Sequence, residues 1–129
     1  MIIVDGHEDL AWNALTFGRD YTRSAFETRE KEKGTSIPEW NGDTLLGWPE
    51  WVQGGVAVVF ATLFSAPIRR KKESWDIRCY ANAEEAHSLY HSDLAHYHRL
   101  VDEHAEKIHL ILGKHDLEIT ESAWKKAGE

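Results

Sequence analysis

Two side chains near the start of the chain, His7 and Asp9, have the types and spacing of metal ligands. They follow Ile2-Ile3-Val4, a short β-branched run that is typical of a buried strand. In an extended segment, residues two apart project to the same side, so both side chains are expected to point into one space. Imidazole and carboxylate together suit zinc, iron or manganese better than calcium. The pattern therefore predicts two ligands of one divalent metal.

The composition bounds the class of protein. The chain has 129 residues, a length that is enough for one domain with a core. Of these residues, 42% are hydrophobic and 29% charged, as is typical of a globular protein. The net charge is -7, and the only basic run is Arg69-Arg70-Lys71-Lys72, which we interpret as a solvated loop. An acidic chain without a long basic stripe argues against nucleic acid as a partner.

The number of cysteines and the first residues of the chain indicate the cellular compartment. A single cysteine, Cys79, excludes an internal disulfide framework and is compatible with a reducing cytoplasm. The first residues lack the charged head and apolar body of a secretory signal. No stretch approaches the ~20 apolar residues of a membrane-spanning helix. The sequence thus predicts a soluble cytoplasmic protein with no membrane partner.

The first half of the chain is predicted to contain one clear helix and two weakly patterned segments. Leu10 to Phe17 has the periodicity of a short helix that ends at Gly18. The charged segment 19–34 is interpreted as an exposed helix or a mobile loop. The segment 35–51 is irregular and carries three tryptophans. They are expected to cap one end of a sheet, and an aromatic substrate wall is the less favoured alternative.

The second half alternates between strands and helices. The sequence predicts a strand over 56–64, a long helix over 82–105, a strand over 107–112 and a helix over 117–127. The long helix is expected to bury the stripe Ala83, Ala86, Tyr90, Leu94, Tyr97 and Val101. Asp116 is the expected cap of the last helix, and Gly128 its expected end.

Three histidines lie along one flank of the long helix. His87, His91 and His98 could offer a metal pair, but a solvated flank that tolerates histidine is the favoured interpretation. The residue after His87 is Ser88, whereas zinc-protease helices carry a catalytic Glu directly after their first histidine.

Alternating strands and helices predict a parallel sheet. In such folds chemistry collects at the carboxyl ends of the strands, where His7 and Asp9 are expected to lie.

The opening of the chain resembles a known enzyme family. The segment Val4-Asp5-Gly6-His7-Glu8-Asp9-Leu10, followed by Trp12, is similar to the start of the membrane dipeptidase (renal dipeptidase) family. A second similarity is Gly54-Gly55-Val56 leading into Phe60, and a third is the order of elements that follows. Two departures are Glu8, where the family usually has Asn, and Ala11, where it usually has Pro.

The resemblance implies an α/β fold that forms the N-terminal part of a (β/α)8 TIM barrel. A closed barrel takes ~250 residues, so residues 1–129 are expected to be a single incomplete domain. The family consists of binuclear zinc hydrolases that cleave dipeptides. His7 and Asp9 match its first two metal ligands, whereas no residue matches its bridging Glu, its later ligands or its catalytic groups.

Two functions are therefore expected from the sequence. The first is the N-terminal part of a zinc-dependent dipeptidase. This isolated chain is expected to be inactive, and to need a missing C-terminal half or self-association. The alternative is a non-catalytic α/β association module in which His7 and Asp9 are structural.

Overall fold

Two short parallel sheets and the helices around them form the described part of the chain. The computed structural model describes residues 1–127. The elements are β1 (Ile3–Glu8), α1 (Leu10–Phe17), α2 (Ala25–Glu32), α3 (Ile37–Asn41), α4 (Trp48–Gly54), β2 (Val56–Ala61), β3 (Ala66–Pro67), a single 3-10 turn (Ile68–Arg70), β4 (Cys79–Tyr80), α5 (Ala83–Glu103) and α6 (Lys114–Ala127). The mixed α/β class expected from the sequence is confirmed. The half-barrel arrangement is a finer statement and stays a prediction.

The strands form two small parallel sheets, one of β1 with β2 and one of β3 with β4. Helix α1 has the bounds that its periodicity predicts, and Gly18 ends it in the left-handed conformation at φ 72°. Strand β2 ends at Ala61, earlier than expected. The segment after it turns to meet α5, where the Phe64 amide donates to the Asp93 carboxylate at 3.0 Å.

The register of β1 against β2 contains two irregularities of opposite sense. Ile3 pairs with Val56 but Val4 pairs with Val58, so β2 carries one extra residue at this point. Between the pairs Asp5–Val59 and Glu8–Ala61, the extra residue lies on β1. Such bulges break the alternation of side chains along a strand and re-aim them. The second bulge contains His7 and ends directly before Asp9.

The strand predicted over 107–112 is wrong, because this segment is irregular in the structure. A strand needs a neighbour for its backbone ladder, and no backbone hydrogen bond within residues 1–127 joins this segment to β2. The helix after it begins at Lys114, earlier than expected, so Asp116 lies inside it. Asp116 Oδ2 accepts the amides of Leu112 and Gly113 at 2.9 and 3.0 Å. Gly128, the predicted helix end, lies outside the described residues.

The hydrophobic core is small and lies where α1, α4 and α5 meet. Its buried members are Leu10, Ala11, Tyr21, Trp51 and Tyr97. The three tryptophans of 35–51 do not form the single cap that was expected. Trp51 stacks on Tyr21, Trp40 stacks on Trp75, and the Trp48 ring lies under the Lys107 ammonium.

The buried side of α5 is more polar than the periodicity predicts. Tyr97 is buried as expected, but Ala83 and Leu94 are exposed and Asp93 is fully buried. The Asp93 carboxylate pairs with the Arg78 guanidinium, which also donates to the Ser92 hydroxyl at 2.7 Å. The helix thus contacts the segment before β4 partly through an ion pair, which apolar periodicity does not reveal.

The charged segment 19–34 is helical in part and less exposed than expected. Ser24 and Glu27 form a reciprocal capping box at the start of α2. Arg19 and Glu32, at the two ends of the segment, are both buried and paired with each other. This pair joins the two ends of the segment, and Arg19 also donates to the Gly42 carbonyl and to Asn13 Oδ1 outside it.

The β1–β2 sheet leaves apolar side chains in water. Val4 of β1 is 53% exposed and Phe60 of β2 is 62% exposed. Parallel sheets are normally covered on both faces. Within the described residues, none of the helices combines the length and apolar character that crossing a membrane requires.

Candidate metal-binding site

His7 and Asp9 lie together at the carboxyl end of β1. The distance from His7 Nε2 to Asp9 Oδ1 is 3.5 Å. The His7 side chain is 72% exposed and that of Asp9 is 32% exposed. Two ligands on tetrahedral zinc, with bonds of about 2.0 Å, lie about 3.3 Å apart. The structure therefore brings the two predicted residues to a separation that suits one metal ion.

Asp5 and Glu8 form a carboxyl pair beside these two residues. In a regular strand, residues three apart face opposite sides, but the bulge between Asp5 and Glu8 brings their side chains into contact. Asp5 Oδ1 also accepts the backbone N–H of His7 at 3.1 Å. Partial burial, the hydrogen bond to Asp5 and the charges of Asp5 and Asp9 raise the pKa of Glu8 to about 7. Glu8 thus holds a proton in acidic solution, which reduces the negative charge next to Asp9.

The Asp9 carboxylate is held by the end of the neighbouring strand. Asp9 is the residue that precedes helix α1, yet its side chain makes no capping hydrogen bond. Instead the Thr62 hydroxyl donates to Asp9 Oδ1. Thr62 follows β2 directly, and its backbone N–H donates to the Glu8 carbonyl at 2.9 Å. The ends of both strands therefore meet at this carboxylate.

The donor set supplies part of a metal site. A closed zinc site takes four ligands, and a catalytic one takes three from the protein. Among residues 1–127, no group of three or more His, Cys, Asp or Glu side chains is placed to hold a metal. The chemistry of His7 and Asp9 fits zinc, and the other ligands of such a site have no assignment in the described residues.

The site lies on an open surface. A cleft of about 290 Å³ between α1 and α5 is lined by residues that include Arg19, His96 and Arg99, but not His7 or Asp9. The histidines along the flank of α5 lie about 80 or more residues after His7 in the sequence. His87 and His91 are both exposed, with ring centroids 4.3 Å apart.

Sequence reasoning missed three contributors to this site. The contact of Glu8 with Asp5 depends on a bulge, which local pattern does not predict. Thr62 lies in the strand that the sequence predicts over 56–64, and Tyr97 in the predicted apolar stripe of α5. The hydroxyl on each of these two side chains was the only signal that could have suggested a polar role.

Comparison of the chain with protein-family models, curated proteins and solved structures found no match.

The Glu8 carboxyl predicts a pH dependence of stability in the metal-free chain. Its pKa is about 7 when folded and about 4.5 as a free group. A raised pKa contributes stability that is present below the unfolded value and is lost as pH rises through the folded value. One pKa unit corresponds to ~1.4 kcal/mol, and solvent screening of this carboxyl reduces the expected loss to about 1–2 kcal/mol.

The measurement is urea unfolding in a chelating buffer at several pH values from about 4.5 to 8. Glu8→Gln should flatten the profile relative to the parent chain and raise the free energy of unfolding above pH 7. Glu39→Gln removes an exposed carboxylate elsewhere and should leave the slope unchanged. Equal slopes for the parent chain and Glu8→Gln would contradict the assignment.

Proposed function

We propose that this chain is the N-terminal part of a zinc-dependent, dipeptidase-like metallohydrolase that cleaves dipeptides. The observation that carries the proposal is the 3.5 Å separation of His7 and Asp9 at the carboxyl end of a parallel strand. The resemblance of residues 4–10 to the membrane dipeptidase family supplies the reaction class. On this proposal the described strands and helices belong to an incomplete (β/α)8 barrel.

The roles of the residues follow from their contacts. Zinc, when bound, polarises a scissile carbonyl and lowers the pKa of bound water. His7 offers Nε2 and Asp9 offers its carboxylate as ligands, and Asp5 restrains the backbone of His7. Two protein ligands leave a weak site, so we expect no dipeptide hydrolysis from this chain alone.

The exposed sheet supports a need for a covering partner. Val4 on β1, Phe60 on β2 and Leu112 in the segment before α6 are exposed, and further barrel strands or a second copy of the chain would bury them. The same observation favours the second candidate function, an association module without catalysis. The two functions differ in whether His7 and Asp9 bind metal.

Zinc binding tests the proposal. Two exposed imidazoles one helical turn apart also bind divalent metals, so the experiment begins from a His87→Ala, His91→Ala background. In this background, His7→Ala and Asp9→Asn should each abolish zinc binding in equilibrium dialysis followed by elemental analysis. The physical reason is that removing either ligand leaves a single one.

Matched substitutions at exposed positions control for charge and composition. His115→Ala and Asp102→Asn should retain the zinc of the background protein. If His7→Ala and Asp9→Asn both retain zinc, the metallohydrolase proposal is contradicted and the association module remains as the candidate function. Dipeptide hydrolysis by the isolated chain would contradict its expected inactivity.

A further inference from the structure

We propose that Thr62 and Tyr97 are positioning residues that turn the Asp9 carboxylate away from helix α1 and hold it beside His7 for a divalent metal. This inference rests on the proposed function and deepens it. Neither residue is a metal ligand.

The conformation of Asp9 is the first step. Aspartate is among the preferred residues before a helix, because its side chain accepts an amide from the first turn. This contact is worth about 1 kcal/mol of stability. Asp9 occupies that position in front of α1, with φ −87° and ψ 53°, and makes no such contact. Its carboxylate is therefore available for another purpose.

Tyr97 explains why α1 tolerates this arrangement. The Tyr97 hydroxyl accepts the backbone N–H of Ala11, the second residue of α1, at 3.1 Å. This is one of the amides that an aspartate cap would otherwise satisfy. The hydroxyl also donates to the Thr62 carbonyl at 2.7 Å. Tyr97 is buried, and burial raises the pKa of its hydroxyl to about 12, so it remains a donor at neutral pH.

Thr62 then fixes the freed carboxylate. Two acceptors lie within reach of its hydroxyl, the Glu8 carbonyl at 3.3 Å and Asp9 Oδ1. The Glu8 carbonyl already accepts the Thr62 backbone N–H at 2.9 Å. Hydrogen bonds to charged acceptors are the stronger ones, so the hydroxyl proton goes to Asp9. Thr62 thus orients the carboxylate through Oδ1, the same oxygen that lies 3.5 Å from His7 Nε2.

Such partners alter metal affinity without binding the metal. Loss of a hydrogen bond that orients a ligand costs about 10–100-fold in metal affinity. Thr62→Val removes the hydroxyl and keeps the shape of the side chain. Thr62→Ser keeps the hydroxyl and removes the methyl group. Comparing these two variants separates the effect of the Thr62 hydrogen bond on zinc affinity from the effect of side-chain packing.

The experiment measures zinc dissociation constants by competition with a chromophoric chelator, in the His87→Ala, His91→Ala background. Thr62→Val is expected to weaken zinc binding by about 10-fold or more, and Thr62→Ser to retain the affinity of the background. The visible spectrum of the cobalt-substituted protein gives a second readout, because it reports the arrangement of ligands around the metal. Thr62→Val should change this spectrum and Thr62→Ser should preserve it.

Tyr97→Phe is the second test and does not depend on the folding of Thr62→Val. It removes the hydrogen bonds of the Tyr97 hydroxyl to Ala11 and Thr62. The Asp9 side chain should then cap α1, and the affinity for zinc should fall. Background affinity in Thr62→Val, or in Tyr97→Phe, would overturn the inference. That outcome is distinct from failure of the proposed function, in which His7→Ala also leaves zinc affinity unchanged.

Discussion

Asp93→Ala is expected to destabilise the protein by about 3–5 kcal/mol, because it leaves the buried Arg78 guanidinium without its counter-charge. Asp93 is 0% exposed, and its carboxylate accepts from Arg78 and from the Phe64 amide. Removing one partner of a buried pair leaves an uncompensated charge in a poorly solvated place. Total stabilities of domains are only about 5–15 kcal/mol, so this loss is a large fraction.

Urea unfolding followed by circular dichroism measures this effect. Replacing both partners, as in Arg78→Met with Asp93→Leu, should cost much less than the two single changes together, since no charge is then left unpaired. Glu30→Ala, which removes an exposed partner of Lys33, should change stability by about 1 kcal/mol or less. If Asp93→Ala costs no more than Glu30→Ala, the pair does not stabilise the fold.

Arg19→Lys is expected to cost about 2–3 kcal/mol although it conserves charge. The Arg19 guanidinium donates to both carboxylate oxygens of Glu32, at 2.8 and 3.0 Å. It also donates to the Gly42 carbonyl at 2.7 Å and to Asn13 Oδ1 at 3.1 Å. A lysine ammonium cannot reproduce this fork, so buried acceptors on several segments lose their donors.

Arg23→Lys is the matched control. Arg23 pairs with Asp20 at 3.1 Å, but both side chains are largely exposed, so the same substitution should cost less than 1 kcal/mol. Equal losses for the two lysine variants, measured by urea unfolding, would show that the Arg19 geometry contributes nothing beyond its charge.

Local signals account for the elements that were predicted correctly. The β-branched run before Asp5 predicts β1, and apolar spacing with a terminal glycine predicts α1. Helix α5 has a long periodic pattern and an asparagine, Asn82, whose side chain accepts the Glu85 amide at 2.9 Å. These features depend on residues close in sequence, so the sequence reveals them.

The features that sequence did not predict depend on distant partners. Residues 107–112 have the composition of a strand, but a strand forms only where a neighbour supplies its hydrogen bonds. The partners of Arg19 and Arg78 lie 13 and 15 residues away. Charged residues at such spacings look solvated until the fold brings them together.

The candidate site likewise contains residues that the sequence predicts and residues that it does not. The spacing of His7 and Asp9 correctly places both at one strand end, and their separation agrees with a shared ligand role. Tyr97 contacts this region from 86 residues away, through the amide of Ala11. No local pattern could assign it there, because its position on α5 is equally typical of a core residue.

The two register irregularities between β1 and β2 cancel one another. The extra residue on β2 near Val58 is compensated by the extra residue on β1 before Glu8, so the strands are back in step at the pair Glu8–Ala61. Thr62 therefore stands opposite Asp9. We therefore expect the site to tolerate paired length changes better than single ones. Deleting one residue from either strand would displace Thr62 from Asp9, whereas one deletion in each strand would restore their alignment.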